Sequence, residues 1–193
     1  AWLVSQLCNT TDYLSGQAEN ISATLAFDGD IQSILIAYEY GRGEPMDLDQ
    51  VRIRVNNSLF YNSRLNRALY DCVNVVLFSN NGEVIGSKEP FDQNVRISDY
   101  EWFSQVENSY GRSLWLPMGY DANSTSTARV MTIPIVRKIF STQSGRDNTL
   151  NEIMTVGKAL GYLVIYVDAE MFSDIVADDV DVYTKRFFRL DEN

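Results

Sequence analysis

The residues best suited to chemistry lie in one segment, from Ser98 to Phe140. It carries six aromatic side chains, followed by two arginines on a predicted strand, namely Tyr100, Trp102, Phe103, Tyr110, Trp115, Tyr120, Arg129 and Arg137. Aromatic walls with a few fixed charges are what a small-molecule pocket needs. A half-buried core has the same composition, so each residue alone is ambiguous. The group as a whole predicts the border of a pocket.

The composition argues against several other kinds of site. The 193 residues include no histidine, which removes the commonest general base and the commonest zinc ligand. The net charge of −10 argues against a nucleic-acid partner, because phosphate binding requires a basic face. Cys8 and Cys72 lie far apart, which favours two buried thiols over a disulfide. No metal-ligand spacing is present, and we expect no cofactor.

A carboxylate pair is the remaining route to catalysis. Asp99, Glu101, Asp121 and Asp168 are available, and glycosidases use two carboxylates. No spacing singles out a pair, and no signature motif accompanies them. We therefore predict that this domain is not an enzyme.

The first third of the chain is predicted to be helical. Apolar positions spaced alternately three and four residues apart form a heptad seam, made by Val4, Leu7, Thr11, Leu14, Ala18, Ile21 and Leu25. This narrow stripe predicts a straight helix, roughly 35–40 Å long, that packs on its own sheet. It equally suits pairing with a second copy, and we expect both. The sequence contains no run of about twenty apolar residues, so it predicts no membrane span. The apolar start AWLVSQL is consistent with the end of a segment that continues upstream.

Two shorter helices are expected next. Asp30 is the predicted N-cap of the second, whose apolar residues are Ile31, Ile34, Leu35 and Tyr38. Asp47 or Asp49 is the predicted N-cap of the third, which carries Val51, Val55, Leu59 and Leu65. Its opposite face is predicted to be solvated, and it holds Arg52, Asn56, Arg64 and Arg67.

From Tyr70 the apolar period changes to two, which is typical of strands. The strand 72–78 leads into Asn81-Gly82, a strong hairpin signal, and a short helix is expected from Tyr100 to about Asn108. Further strands are predicted at 113–116, 129–140 and 156–168, then a closing helix at 169–176. Pro134 indicates a bulge or an edge position in the 129–140 strand. Helices followed by a five-stranded antiparallel sheet define an α+β fold.

Each long strand should have two distinct faces. Unbroken alternation places Arg129, Met131, Ile133, Ile135 and Arg137 on one face of the 129–140 strand. On the last strand Leu163, Ile165 and Val167 alternate with Tyr162, Val164 and Tyr166. We expect the aliphatic face to meet the long helix and the tyrosine face to meet the pocket.

The order of these elements resembles a known family. The features that carry the resemblance are the Asn81-Gly82 hairpin, the pair Trp102-Phe103, the step from Gly111 to Trp115, the arginine strand, and a terminal Gly-Tyr-Leu-Val-Ile-Tyr-Val-Asp strand. The pattern is similar to Cache (PDC, PAS-like) sensor domains of bacterial extracytoplasmic receptors, and most similar to the membrane-distal sensor domain of YesM-type histidine kinases. The resemblance implies one domain over 1–178, with helices at 1–68 and a PAS-like sheet with its inserted helix at 69–178.

The tail, 179–193, has a different pattern. Its residues 187–193 echo 76–81, which suggests the start of a truncated second subdomain, with a disordered tail as the alternative.

The resemblance also implies a ligand site. Family positions fall on Trp102, Phe103, Trp115, Arg137 and Asp168, whereas the arginine of the amino-acid-binding Arg-x-Trp-Tyr pattern is replaced here by Tyr100. Together with the aromatic segment, the predicted ligand-binding residues are Trp102, Phe103, Trp115, Tyr120, Asp121, Arg129, Arg137, Tyr166 and Asp168. Core packing of the tryptophans, a structural ion pair of Arg137 and helix capping by Asp168 are the competing structural roles.

The resemblance implies an extracellular ligand-sensing domain of a membrane receptor, most simply a two-component histidine kinase on the extracytoplasmic side of the bacterial membrane. The expected partner is a small molecule, bound between the sheet and residues 98–127, with a homodimer formed through the first helix. The alternatives are an interaction or dimerisation domain without a ligand, and the sensor domain of a chemoreceptor or cyclic-dinucleotide enzyme.

Overall fold

The structure of the protein, a computed structural model, describes residues 2–41, 46–62, 65, 69, 72–120, 130–142, 145–146, 152–153 and 156–170. The helices in this part are α1 (Trp2–Ala26), α2 (Gly29–Tyr40), α3 (Leu48–Tyr61), the 3-10 turn Ile97–Asp99 and α4 (Phe103–Glu107). The strands are β1 (Cys72–Ser79), β2 (Val84–Ser87), β3 (Leu114–Trp115), β4 (Gly119–Tyr120), β5 (Met131–Phe140), β6 (Gly145–Arg146), β7 (Glu152–Ile153) and β8 (Ala159–Asp168). Within the described part, no helix is long and apolar enough to cross a bilayer.

Aspartate caps begin the second and third helices. Asp28, not Asp30 as predicted, caps α2, because its Oδ1 accepts hydrogen bonds from the backbone N–H groups of Asp30 and Ile31 at 3.0 and 3.1 Å. Asp47 caps α3 in a reciprocal capping box with Gln50. Gly41 ends α2 in the left-handed conformation, with φ of 62°.

The long helix α1 packs through its C-terminal half. Ala18, Ser22, Leu25 and Ala26 are buried, and Ile21 packs partly against the core. The buried positions follow a 3.6-residue period, as expected for a helix lying on its own sheet. The predicted seam positions from Val4 to Leu14 have side chains outside the described part, so α1-mediated dimerisation stays a prediction.

The main sheet is antiparallel throughout, in the order β2–β1–β8–β5–β3, with β4 also pairing with β5. β3 and β4 pair with successive parts of β5 and form one edge position that is interrupted around Pro117. The sheet therefore has five positions, and the α+β fold predicted from the sequence is confirmed. The β1–β2 hairpin turns at Asn80 to Glu83, with Gly82 at φ of 83°.

Pro134 lies inside β5 without a bulge. The pairing of β5 with β8 runs in register from Thr132 to Ile139, and the irregularity falls between Ile139 and Phe140. The carbonyl of Pro134 accepts the Leu116 N–H at 2.9 Å, so its ring nitrogen faces the interrupted edge, where a missing N–H costs little. Of the two predicted alternatives, a bulge or an edge position, the pairing with β8 shows no bulge at Pro134, and the proline nitrogen instead faces the interrupted edge strand.

The two faces of the sheet are buried differently. The helix face carries Leu163, Ile165 and Val167 of β8 and packs against α1, α2 and α3. The aromatic face carries Tyr162, Val164 and Tyr166 and packs against the segment that contains Phe91, Tyr100, Trp102, Phe103 and Val106. The predicted division between aliphatic and tyrosine faces is confirmed.

Helix α3 closes the β2 edge of the sheet. Arg52 Nε donates to the Val84 carbonyl at 3.0 Å, and Asn56 Oδ1 accepts the Ser87 N–H at 3.2 Å. These two residues were predicted to be solvated. That prediction is wrong because both side chains hydrogen-bond to backbone groups at the edge of β2. Arg64 and Arg67 lie outside the described residues. Gly86 permits the approach, since a Cβ there would lie 2.4 Å from Val55 Cγ1.

Candidate ligand site

The candidate site lies on the aromatic face. Side chains of β1, β8 and β5 form rows across it, because these strands are paired side by side. The rows are Phe78, Tyr162 and Lys138, then Val76, Val164 and Val136, then Asn74, Tyr166 and Pro134, and finally Asp168 opposite Thr132. The face is aromatic and charged at one end, aliphatic in the middle, and polar at the other end.

The segment from 88 to 113 covers this face. Phe91 meets Phe78 edge-on with ring centroids 6.3 Å apart, and Phe103 meets Tyr162 with centroids 5.6 Å apart. Such ring pairs contribute about 0.5–1.5 kcal/mol beyond the area they bury. Trp102 stacks on Tyr100 at 4.6 Å and keeps part of its ring exposed. The segment is therefore anchored by Phe91 and Phe103, and it presents Trp102 near its surface.

A charged group ties α4 to the sheet. Lys138 Nζ lies 2.9 Å from Glu107 Oε2, and the Tyr162 hydroxyl donates a short hydrogen bond to Glu107 Oε1. Burial by itself raises the pKa of Glu107, but the two hydrogen bonds and the positive charge of Lys138 outweigh it and leave that pKa below its ordinary value. Burial and the Glu107 carboxylate raise the pKa of Tyr162, which keeps its hydroxyl a donor.

The polar end of the face is built from three strands. Asp168 ends β8, and its Oδ1 accepts the Glu170 N–H at 2.8 Å. Thr132 is buried opposite it and donates through Oγ1 to the Gly119 carbonyl at 3.3 Å. Asn74 and Tyr166 are buried in the preceding row. This end therefore combines a carboxylate, a hydroxyl and an amide beside an aromatic ring, which suits a small polar ligand.

Two predicted site residues lie on the helix face instead. Trp115 Nε1 donates to Glu19 Oε1 at 3.2 Å, and Arg137 lies 3.5 Å from Glu19 Oε2. Arg137 also donates to Ser113 Oγ at 2.7 Å, and Ser22 lies 3.5 Å from the same oxygen. Burial lowers the pKa of Arg137, and the negative charge of Glu19 opposes that effect. These contacts, hereafter the α1 clasp, join α1 to the strand that follows α4.

The structure thus brings together Trp102, Phe103 and Tyr166 with Asp168 at the edge of the same face, and separates them from Trp115 and Arg137. Tyr120 lies in β4, paired with Met131, and its side chain is outside the described part. Asp121 and Arg129 are also outside the described residues. Their assignment to the site stays a prediction. In the described part, no group of three or more His, Cys, Asp or Glu side chains is placed to hold a metal ion.

Sequence reasoning missed Asn74, Thr132, Glu107 and Lys138. Asn74 had a visible signal, because it is a lone amide in the apolar strand 72–78. Lys138 and Glu107 had none, since they are 31 residues apart and meet only through the register of β5 and the placement of α4.

The fold is shared with sensor domains of known structure. The ligand-binding domain of the Campylobacter jejuni chemoreceptor Tlp3, in complex with 4-methylisoleucine, matches with a TM-score of 0.60 and 17% identity over 91% of this chain and 59% of that chain. A domain of a putative sensory box/GGDEF family protein from Vibrio parahaemolyticus matches with a TM-score of 0.59, 15% identity, and coverage of 90% and 60%. The sensor domain of the V. cholerae histidine kinase DctB matches with a TM-score of 0.53, 14% identity, and coverage of 90% and 55%.

No protein-family model and no curated protein matches the chain. At identities of 14–17%, the three structural matches show the fold and leave the ligand open. The predicted sensor-domain fold is confirmed, and the likeness to the YesM type stays a prediction. The chain spans about 60% of the length of the first two structures, so each of them extends beyond the region that it matches.

Proposed function

We propose that the chain is an extracellular ligand-sensing domain of a bacterial membrane receptor. The ligand binds at the polar end of the aromatic face, beneath the segment that carries Trp102. The observation that supports this is the uneven chemistry of that face. Its middle row is three valines, whereas the polar side chains of Asn74, Asp168 and Thr132 gather with Tyr166 at one end.

The proposed contacts divide into two groups. Trp102 and Tyr166 provide aromatic surfaces, Phe103 holds the covering segment in place, and Asp168 receives a donor group of the ligand. Tyr120, Asp121 and Arg129 are proposed to complete the site. We assign Trp115 and Arg137 to the α1 clasp instead, because both meet Glu19 on the other face.

Branched aliphatic amino acids are the first ligands to test. The solved structures with this fold include Tlp3 with isoleucine, at 15% identity, and the Pseudomonas fluorescens chemoreceptor CtaA with L-isoleucine, at 14% identity. The arginine expected for amino-acid binding in the family pattern is replaced by Tyr100 here. The screen of candidate ligands should therefore also include other classes of compound, such as sugars and organic acids.

Ligand binding is proposed to reach the rest of the receptor through α1. The α1 clasp connects the strand after α4 to α1, so a shift of the covering segment changes the contacts of Glu19. The full receptor is proposed to be membrane-anchored, with its sensor on the extracytoplasmic side, and to dimerise through α1. A histidine kinase of the YesM type is the proposed output, with a chemoreceptor or GGDEF protein as alternatives.

The test is a thermal-shift screen of this domain, followed by calorimetry of each hit. A ligand at a hundred times its dissociation constant stabilises the fold by about 2.7 kcal/mol, which moves the melting temperature by several degrees. We expect Trp102→Ala to abolish that shift. Tyr110→Ala is the matched control, since Tyr110 belongs to the same segment and is 87% exposed. A ligand whose shift survives in Trp102→Ala would refute the assigned site.

An interaction domain without a small-molecule ligand is the second candidate. Ile53, Phe60 and Tyr61 are exposed on α3, and their spacing of seven and eight residues puts them on one face. Sedimentation of the wild-type chain and of Phe60→Ser separates the two functions. A folded domain that binds nothing in the panel, but self-associates through this face, would favour the interaction domain.

A further inference from the structure

We propose that Asn74 is a ligand-contacting residue, and that its side-chain Nδ2 donates a hydrogen bond to an acceptor oxygen of the bound molecule. This proposal rests on the proposed function of the aromatic face as a ligand site. It adds a specific contact, on a strand outside the predicted aromatic segment, and a chemical requirement on the ligand.

Asn74 is placed at the site by an irregularity in β1. The pairing of β1 with β8 skips one residue between Cys72 and Asn74, and Asn74 then lies opposite Tyr166. Since cross-strand neighbours project to the same face, the amide lies next to the tyrosine ring in the row before Asp168. Only 2% of Asn74 is exposed, so its polar atoms have lost contact with bulk water.

The orientation of the amide follows from its neighbours. Asn74 Oδ1 accepts the backbone N–H of Val75 at 2.7 Å and that of Glu89 at 2.9 Å. Both partners are donors, so the oxygen must occupy this position and the NH2 group must occupy the other. In the described part, Asn74 Nδ2 is buried and has no hydrogen-bond partner. The donor is therefore fixed in place and unused.

An unused buried donor is costly, and few occur in native proteins. The two N–H groups that Asn74 satisfies need only an oxygen, which a serine or threonine could also provide. The NH2 group adds a donor that the fold itself does not employ. A bound molecule with a carboxylate, carbonyl or hydroxyl oxygen would satisfy it, and would recover the desolvation cost on binding. Because the amide is neutral, it selects such a ligand by position, not by charge.

The first experiment needs no ligand. In the 15N-labelled chain, hydrogen exchange of the Asn74 side-chain NH2 is compared with exchange of the Val164 backbone N–H, which lies in the buried middle row. We expect the NH2 protons to exchange much faster, through local opening of the covering segment. Exchange as slow as that of Val164 would mean that the amide is sealed in the core, and would overturn the proposal.

The second experiment pairs two probes that differ in one acceptor group, L-isoleucine and 2-methylbutylamine, which lacks the carboxylate. If isoleucine binds the wild-type chain, we expect Asn74→Asp to weaken its binding about tenfold or more, as for the loss of a hydrogen bond to a charged group, and to leave 2-methylbutylamine unweakened. Asn56→Asp is the matched control, because Asn56 Oδ1 also accepts a backbone N–H but on the α3 side.

Equal losses in both variants, or equal losses for both probes, would overturn the role of Asn74. If neither probe binds the wild-type chain, the proposal that branched amino acids are ligands fails separately, and the exchange measurement decides the assignment of Asn74. The same measurement decides it if Asn74→Asp does not fold.

Discussion

Replacement of Gly86 by alanine should separate α3 from the sheet edge that it protects. The added Cβ would lie 2.4 Å from Val55 Cγ1 and 3.1 Å from Asn56 Oδ1. An ordinary carbon–carbon contact is about 3.5–4.0 Å, so α3 must retreat by more than 1 Å or Val55 must leave its rotamer. The bonds of Arg52 to Val84 and of Asn56 to Ser87 oppose that retreat.

The expected cost follows from overpacking in a close-packed region, which is typically 1–3 kcal/mol. For a domain of this size, about 2 kcal/mol lowers the melting temperature by about 4–8 °C. Gly16→Ala is the control, because nothing lies within 4 Å of a Cβ at that position in α1. There the same substitution should stabilise the protein by about 0.5–1 kcal/mol, through helix propensity alone.

Urea unfolding of the wild type, Gly86→Ala, Val55→Ala and the double variant measures the clash directly. Val55→Ala alone should cost about 2 kcal/mol, since it removes two buried methyl groups and leaves a cavity. The double variant should lose less than the two single variants together, by about 1 kcal/mol. Additive losses, or a Gly86→Ala variant as stable as the wild type, would show that α3 does not pack on Gly86 as described.

Three further changes have defined outcomes. Gln32→Leu should destabilise the fold by about 2–4 kcal/mol in urea unfolding. The buried amide of Gln32 hydrogen-bonds to backbone groups of Ala26, Phe140 and Thr142, and its loss leaves them unsatisfied. Unchanged stability would exclude that network. Glu107→Gln should weaken stability most above the ordinary carboxyl pKa of 4.5, with the difference from wild type shrinking as the pH falls through the lowered native pKa; a difference that is constant with pH would contradict the charged pairing. Glu19→Gln should cost about 1 kcal/mol, since Arg137 keeps its bonds to Ser113 but loses its counter-charge; chemical denaturation checks this, and an unchanged midpoint would dismiss the ion pair.

Most of the observed fold was predictable from local signals in the sequence. Capping residues and periodicity placed the helices to within a few residues, and the Asn81-Gly82 turn located the hairpin. The cap of α2 was misplaced because Asp28 and Asp30 stand two residues apart and only the backbone angles distinguish them. The buried stripe of α1 includes Ser22, outside the predicted seam, because a helix that packs on its own sheet follows the 3.6-residue period, whereas a coiled coil follows 3.5.

The candidate site was harder to predict because it depends on register and on which face of the sheet each side chain occupies. Trp115 belongs to a strand of two residues, too short for alternation to reveal its face. It pairs with Ile135 and so shares the helix face with Arg137. The tyrosines of β8 were assigned correctly, because ten residues of clear alternation define both faces. Asn74 was overlooked because a single polar residue in an apolar strand has no periodic signature.

Both edge strands of the sheet are protected, and this limits how copies of the chain can associate. An open sheet usually exposes strands whose unpaired backbone groups template edge-to-edge aggregation. Here Arg52 and Asn56 hydrogen-bond to backbone groups of β2. On the opposite edge, Pro117 separates the two-residue strands β3 and β4. Neither margin, in the described part, offers a long run on which a second chain can add a strand. Edge-to-edge pairing between chains is therefore disfavoured even at high concentration. Specific association would use side-chain surfaces such as that of α3.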